Sequence, residues 1–245
     1  MMLRVLARQW GLPLAVPRHL ASIMWLPRFL RRRPPSDGHG PANRAGASEQ
    51  LRNRRGEPPF DPHGFYPAAW AGRLLAKSRP SVHGDIGSRA ADVGALSALV
   101  PVTFYVDHRP LQAQLPGLAT VAGDITQLPF PDKSLVSMSS LHVIGRTGPG
   151  RDAIDPEEDV KALGELQRVL GYRGSLYLSV PVGRERVRSR TQRIFAPETI
   201  LAAVPFLRLR RFSYVGDDGV LHNDAPFDEA ARQDYACGLF EFERG

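Results

Sequence analysis

Three acids stand where short apolar runs end. The stretch Ser81-Val-His-Gly-Asp-Ile-Gly-Ser-Arg89 closes a run on Asp85 and turns at Gly87, and an Ala-rich segment follows. The run from Thr103 to Val106 closes on Asp107, and a third closes near Gly123-Asp124-Ile125. Acids at the carboxyl ends of successive parallel strands, the first beside a glycine turn, suit a nucleoside ligand. The turn lets backbone approach the ligand, and the second acid accepts hydrogen bonds from ribose hydroxyls. Strands that simply end in polar turns give the same spacing, so both readings stay open. His142 follows the run Leu135–Leu141; such a histidine can take a proton from a hydroxyl or serve only the structure. Arg184, Arg186, Arg188, Arg190 and Arg193 follow the run Ser175–Val180. They form either a site for an anionic substrate, such as a nucleotide-sugar diphosphate, or a solvated basic loop. Cys237 has no evident base partner and reads as a packing residue.

The elements that must carry these residues alternate in type. A helix over Pro67–Lys77 leads into a strand at about 82–86, then a helix at about 90–99. Strands near 102–106, 118–122 and 135–141 follow. Asp155-Pro156-Glu-Glu opens a helix with an acid at the cap, proline at the first position and acids in the first turn. Val160, Leu163, Leu166 and Val169 continue it at helical spacing, and Gly171 marks its end. A strand at 175–180, a short helix from Ala196, and late strands at 207–215 and 238–243 complete the pattern. Strands alternating with helices predict a mainly parallel sheet covered on both faces, and the two late strands predict a closing hairpin.

These residues resemble a known family. Gly123-Asp-Ile-Thr-Gln-Leu-Pro-Phe-Pro-Asp-Lys-Ser-Leu135, then Leu163-Gly-Glu-Leu-Gln-Arg-Val-Leu-Gly171 and Gly174-Ser-Leu-Tyr-Leu-Ser-Val-Pro181, resemble class I S-adenosylmethionine-dependent methyltransferases. Asp85-Ile-Gly-Ser-Arg89, Val106-Asp-His-Arg-Pro-Leu111, Ser139-Ser-Leu-His142, Ser179-Val-Pro-Val-Gly-Arg-Glu-Arg186 and Cys237-Gly-Leu-Phe240 are similar to the methyltransferase-like family labelled DUF268. The resemblance covers about residues 60–243. It implies an α/β, Rossmann-like fold with a doubly wound, mainly parallel, seven-stranded sheet. It also implies S-adenosylmethionine as cofactor. Asp85 would meet its methionine amino group beside Gly87, Ser88 and Arg89, Asp107 its ribose, and Asp124 with Ile125 its adenine. The implied reaction is methyl transfer to oxygen of a sugar or glycan precursor, with His142 as general base and Arg184 and Arg186 on the substrate. One departure favours a rival. Ser88 and Arg89 follow Gly87, so the turn has one glycine fewer than the family's D-x-G-x-G, and a β-carbon there can crowd the cofactor. A non-catalytic binding or scaffold module with a degenerate cofactor turn is the alternative.

The whole chain of 245 residues has a formal net charge of +7. Residues 1–55 hold 11 arginines against Asp37 and Glu49, about +9, which leaves about −2 for the rest. The basicity therefore belongs to an arm (1–33) and a Pro/Gly/Arg-rich linker (34–59), and no nucleic-acid partner is expected of the domain at 60–245. Trp10, Trp25, Phe29 and Leu30 beside arginines suit either a self-packed leader or contact with an anionic membrane surface. No run of the arm reaches the roughly 18 apolar residues of a membrane span. The single cysteine excludes an internal disulfide and a cysteine-based zinc site, no metal site is expected, and the cysteine count fits a reducing compartment such as the cytoplasm.

Overall fold

The computed structural model describes residues 60–145, 156–189 and 192–245. The arm, the linker and Arg190 lie outside these. Helix α1 (Pro62–Ser78) starts five residues earlier than the sequence pattern suggests. Asp61 caps it by accepting the Gly64 N–H at 3.0 Å, Pro62 occupies the first turn, and Arg79 closes it in the left-handed region. Then follow β1 (Val82–Ile86), α2 (Ala90–Ser97), β2 (Val102–Asp107), β3 (Leu118–Ala122) and β4 (Leu135–Leu141). The second half holds α3 (Pro156–Val169), β5 (Leu170–Val182), a hairpin of β6 (Arg186–Ser189) and β7 (Gln192–Ile194), and α4 (Pro197–Ala203). It ends with β8 (Leu207–Val215), β9 (Leu221–His222), α5 (Phe227–Ala231) and β10 (Ala236–Arg244).

The main sheet has the order β3-β2-β1-β4-β5-β10-β8-β9. Strands β1 to β5 are mutually parallel, and β10 runs antiparallel to both β5 and β8. The doubly wound expectation holds, with eight strands where seven were expected. The extra one, β9, is a two-residue edge strand pairing Tyr214 with His222 and Val215 with Leu221. The closing hairpin is β8 with β10, joined through β9 and α5.

Helices cover both faces. On one, Leu163, Leu166 and Val169 of α3 and Ile200 of α4 pack against Met138, Leu178, Phe240 and Phe242. On the other, Trp70 and Leu75 of α1 and Leu96 of α2 pack against Leu141, Tyr177 and Leu239. Strand β10 is buried on both sides, so its spacing is tight. A β-carbon at Gly238 would stand 2.7 Å from Val182 Cγ1 and 2.8 Å from Phe240 Cε2. Gly238→Ala is therefore expected to destabilise the domain by about 1–3 kcal/mol through overpacking. Urea unfolding checks this, and an unchanged midpoint would refute the packing argument.

Candidate functional site

The carboxyl edge gathers the ends of β1 to β5. Gly87 follows β1 with φ +71°, a conformation that favours glycine. Its N–H donates to the Val106 carbonyl at 2.8 Å, which fastens the turn to β2. Asp85 is fully buried. Its Oδ1 accepts the Ser88 N–H at 3.2 Å, while Oδ2 accepts the hydroxyls of Ser88 at 2.9 Å and Ser139 at 2.5 Å. Burial lifts its carboxyl from the ordinary 3.8 to about 6, against the opposing hydrogen bonds of Ser139 and Ser88.

That carboxylate ends a buried relay. The Ser139 hydroxyl gives its one proton to Asp85, so it accepts from His83 Nε2 at 2.9 Å. His83 Nδ1 then accepts the Ser137 hydroxyl at 2.9 Å, which fixes the tautomer. Burial pushes the imidazole down to about 4, so it is neutral at pH 7. The sequence pattern assigns no role to His83, Ser137 or Ser139. Their signal is polar residues alternating on two neighbouring strands, in register through Asp85 and Ser139.

Ser88 is buried and also accepts the Leu141 N–H at 3.0 Å. Arg89 caps α2 but faces away from the turn. Its guanidinium holds both oxygens of Asp92, at 2.9 and 3.0 Å, and donates to the Gly64 carbonyl of α1. Asp107 is partly exposed at the end of β2. Its Oδ2 takes the Tyr105 hydroxyl at 3.1 Å and Oδ1 takes the Arg109 N–H at 2.8 Å. The Tyr105 hydroxyl reaches the Ser88 carbonyl as well, at 3.1 Å. Asp124 Oδ1 accepts the N–H and hydroxyl of Thr126, both at 2.8 Å, and Ile125 packs at the rim of the core.

His142 sits just past β4 with φ +61°. Its N–H donates to both the carbonyl and the hydroxyl of Ser179, at 3.0 and 2.9 Å. Pro67 lies inside α1 and has no N–H, so the His63 carbonyl lacks the usual bond from the residue four places on. His142 Nε2 takes that place, donating to it at 2.8 Å. The proton on Nε2 leaves the lone pair on Nδ1. Cys237 Sγ lies 3.3 Å from Nε2; burial pushes its thiol up, so it stays protonated.

The arginines part company. Arg184, Arg186 and Arg188 line one groove with Asp234 and Tyr235. Arg193 turns elsewhere, pairing with Glu185 at 2.9 Å and Asp159 at 3.9 Å. Asp85, Gly87, Ser88 and Asp107 thus form one connected group at the ends of β1 and β2, whereas the Arg89 guanidinium points away from it toward Asp92 and α1. Asp124 and Ile125 follow the neighbouring β3. His142 and the arginine groove lie further along the same edge, past β4 and β5.

No protein-family model and no curated protein sequence matches the chain. Solved structures do. The N-methyltransferase NodS from Bradyrhizobium japonicum WM9, solved with S-adenosyl-L-homocysteine, superposes with a TM-score of 0.55 at 17% identity, over 80% of this chain and 97% of its own. The fold is that of class I methyltransferases. The 1,6-didemethyltoxoflavin-N1-methyltransferase from Burkholderia thailandensis, solved with 1,6-didemethyltoxoflavin and S-adenosylhomocysteine, gives 0.50 at 14% identity, over 95% of this chain and 92% of its own. The [4+2]-cyclase SpnF also gives 0.50 at 14% identity, over 71% of this chain and 79% of its own. The fold therefore hosts more than one reaction.

Proposed function

We propose that the chain is an S-adenosylmethionine-dependent methyltransferase acting on oxygen of a small molecule, a sugar or glycan precursor. The observation that carries this is the β3-β2-β1-β4 carboxyl edge, with a positive-φ glycine after β1 and partly exposed acids after β2 and β3. The donor set suits the cofactor's nucleoside end. Asp107 accepts one internal hydrogen bond on each oxygen and keeps lone pairs for a ribose diol. Asp124 Oδ2 takes no part in the Thr126 turn and, with Ile125, flanks the adenine. Asp85 holds the turn in shape from below. When bound, S-adenosylmethionine supplies an electrophilic methyl group; the chain's part is to orient the acceptor and exclude water. His142, just past β4, is the general base that receives the acceptor's proton. Arg184 and Arg186 hold an anionic acceptor.

The commitment of Arg89 to Asp92, at the position of the missing glycine, favours a second reading, a binding module without methyl transfer. Calorimetry decides between them. Saturable binding of S-adenosylhomocysteine is expected, and its absence would leave the binding module. Among the described residues no helix is long and apolar enough to cross a membrane. We also propose that the arm at 1–33 attaches the protein to anionic membranes from the cytoplasmic side. Salt-sensitive binding to anionic vesicles, lost when residues 1–57 are removed, checks this.

A further inference from the structure

The segment after β5 and the turn into β10 face each other across a groove of about 450 Å³, lined by Arg184, Arg186, Arg188, Asp234 and Tyr235. Two of its three cations are held in place by the protein itself. Arg186 donates from Nη1 to the Arg184 carbonyl at 2.9 Å and from Nη2 to the Asp234 carbonyl at 2.6 Å. The Arg188 guanidinium lies 4.5 Å from the centre of the Tyr235 ring. The same ring packs at a tilt of 31° against His63 at the start of α1, ring centres 5.0 Å apart. One carboxylate fixes the far wall. Asp217, in the turn after β8, accepts the Tyr235 N–H at 2.8 Å on Oδ1 and the Asp234 N–H at 2.7 Å on Oδ2.

Charge in the groove is unbalanced. Three guanidiniums face one acid, Asp234, whose carboxylate is 3.9 Å from Arg184. The neighbouring Glu185 is taken by Arg193 and Thr199, at 2.9 and 2.7 Å. With Asp217 behind the wall counted as well, positive charge still exceeds negative, which suits an anionic ligand. Guanidinium forks bind phosphate oxygens in pairs, and forks already oriented by carbonyls and an aromatic ring lose little freedom on binding. We propose that this groove is a diphosphate site, that Arg186 and Arg188 are its main ligands, and that Asp217 is the positioning residue of its Tyr235 wall. The inference rests on the acceptor-edge reading above and names the acceptor's class, a diphosphate ester.

The test is calorimetric titration of the full-length protein with inorganic pyrophosphate, with S-adenosylhomocysteine titrated separately. Arg186→Ala with Arg188→Ala is expected to weaken pyrophosphate by at least about tenfold, as loss of charge-assisted bonds requires. Asp217→Ala is expected to weaken it about threefold or more, with Asp217→Asn recovering part, because the amide oxygen still accepts one N–H. In both Asp217 variants S-adenosylhomocysteine affinity and the urea midpoint stay near the parent's. Arg208→Ala with Arg210→Ala removes equal charge from β8 outside the groove and should bind pyrophosphate like the parent. No saturable binding, or equal loss in that control, overturns the site. Cofactor binding without pyrophosphate binding sinks the diphosphate site alone, whereas the reverse result upholds it and sinks the methyltransferase reading. A nucleoside diphosphate binding more tightly than pyrophosphate marks a nucleotide-linked acceptor. Equal affinity marks a diphosphate whose ester points out of the groove.

Discussion

Asp85→Ala is expected to lower domain stability by about 3–5 kcal/mol, the largest effect of any single substitution at the site. The truncation strands three buried donors at once: the Ser88 N–H, the Ser88 hydroxyl and the Ser139 hydroxyl. It also loosens His83, whose tautomer depends on Ser139. Asp85→Asn separates hydrogen bonding from charge. The folded-state carboxyl titrates near 6 rather than near 3.8, so its protonated form favours the fold. That contribution is complete below about pH 3.8 and lost as pH rises through 6. Asparagine imitates the protonated acid at every pH. The stability gap between parent and Asp85→Asn should therefore shrink from pH 4 to pH 7, by on the order of 2 kcal/mol. His83 titrates in both proteins and moves the other way, contributing stability above pH 6.5 that is lost as pH falls through 4. Urea unfolding at the two pH values reads the gap; a gap that widens toward pH 7 would refute the burial argument.

Asp107→Ala is expected to weaken S-adenosylhomocysteine by about 1–3 kcal/mol, roughly five- to 150-fold, through loss of the ribose acceptor. The fold should not suffer. The Tyr105 hydroxyl keeps the Ser88 carbonyl as partner, and the Arg109 N–H sits in an exposed turn. A variant with parental unfolding and parental affinity would place the ribose elsewhere.

Much of the fold is legible because its strands are bounded by strong breakers. Pro80 and Gly87 bracket β1, which matches its expected span, and Pro101 precedes β2, which runs one residue further than expected and takes in Asp107. The sequence pattern starts α1 at Pro67, whereas Asp61-Pro62 is the true start. The β6–β7 hairpin was not legible, since its strands of four and three residues carry arginines on both faces and show no apolar alternation. Strand β9 and helix α5 are too short for any period to register. At the site, the sequence places the acids at strand ends but cannot say which way they point. Asp85 and Asp107 look alike in the chain. One is enclosed by serines fifty-four and three residues away, and the other opens to solvent.

Pro67 carries a consequence for anyone engineering this chain. By local propensity, replacing a proline inside an α-helix by alanine is a repair, restoring one backbone hydrogen bond. Here the restored N–H would claim the His63 carbonyl that His142 now holds from 79 residues away. A substitution that improves the helix would thus free the imidazole ring from its anchor and detach the first turn of α1 from the end of β4. The flaw in one element is the joint between two, and an optimiser scoring each helix by itself would remove it first.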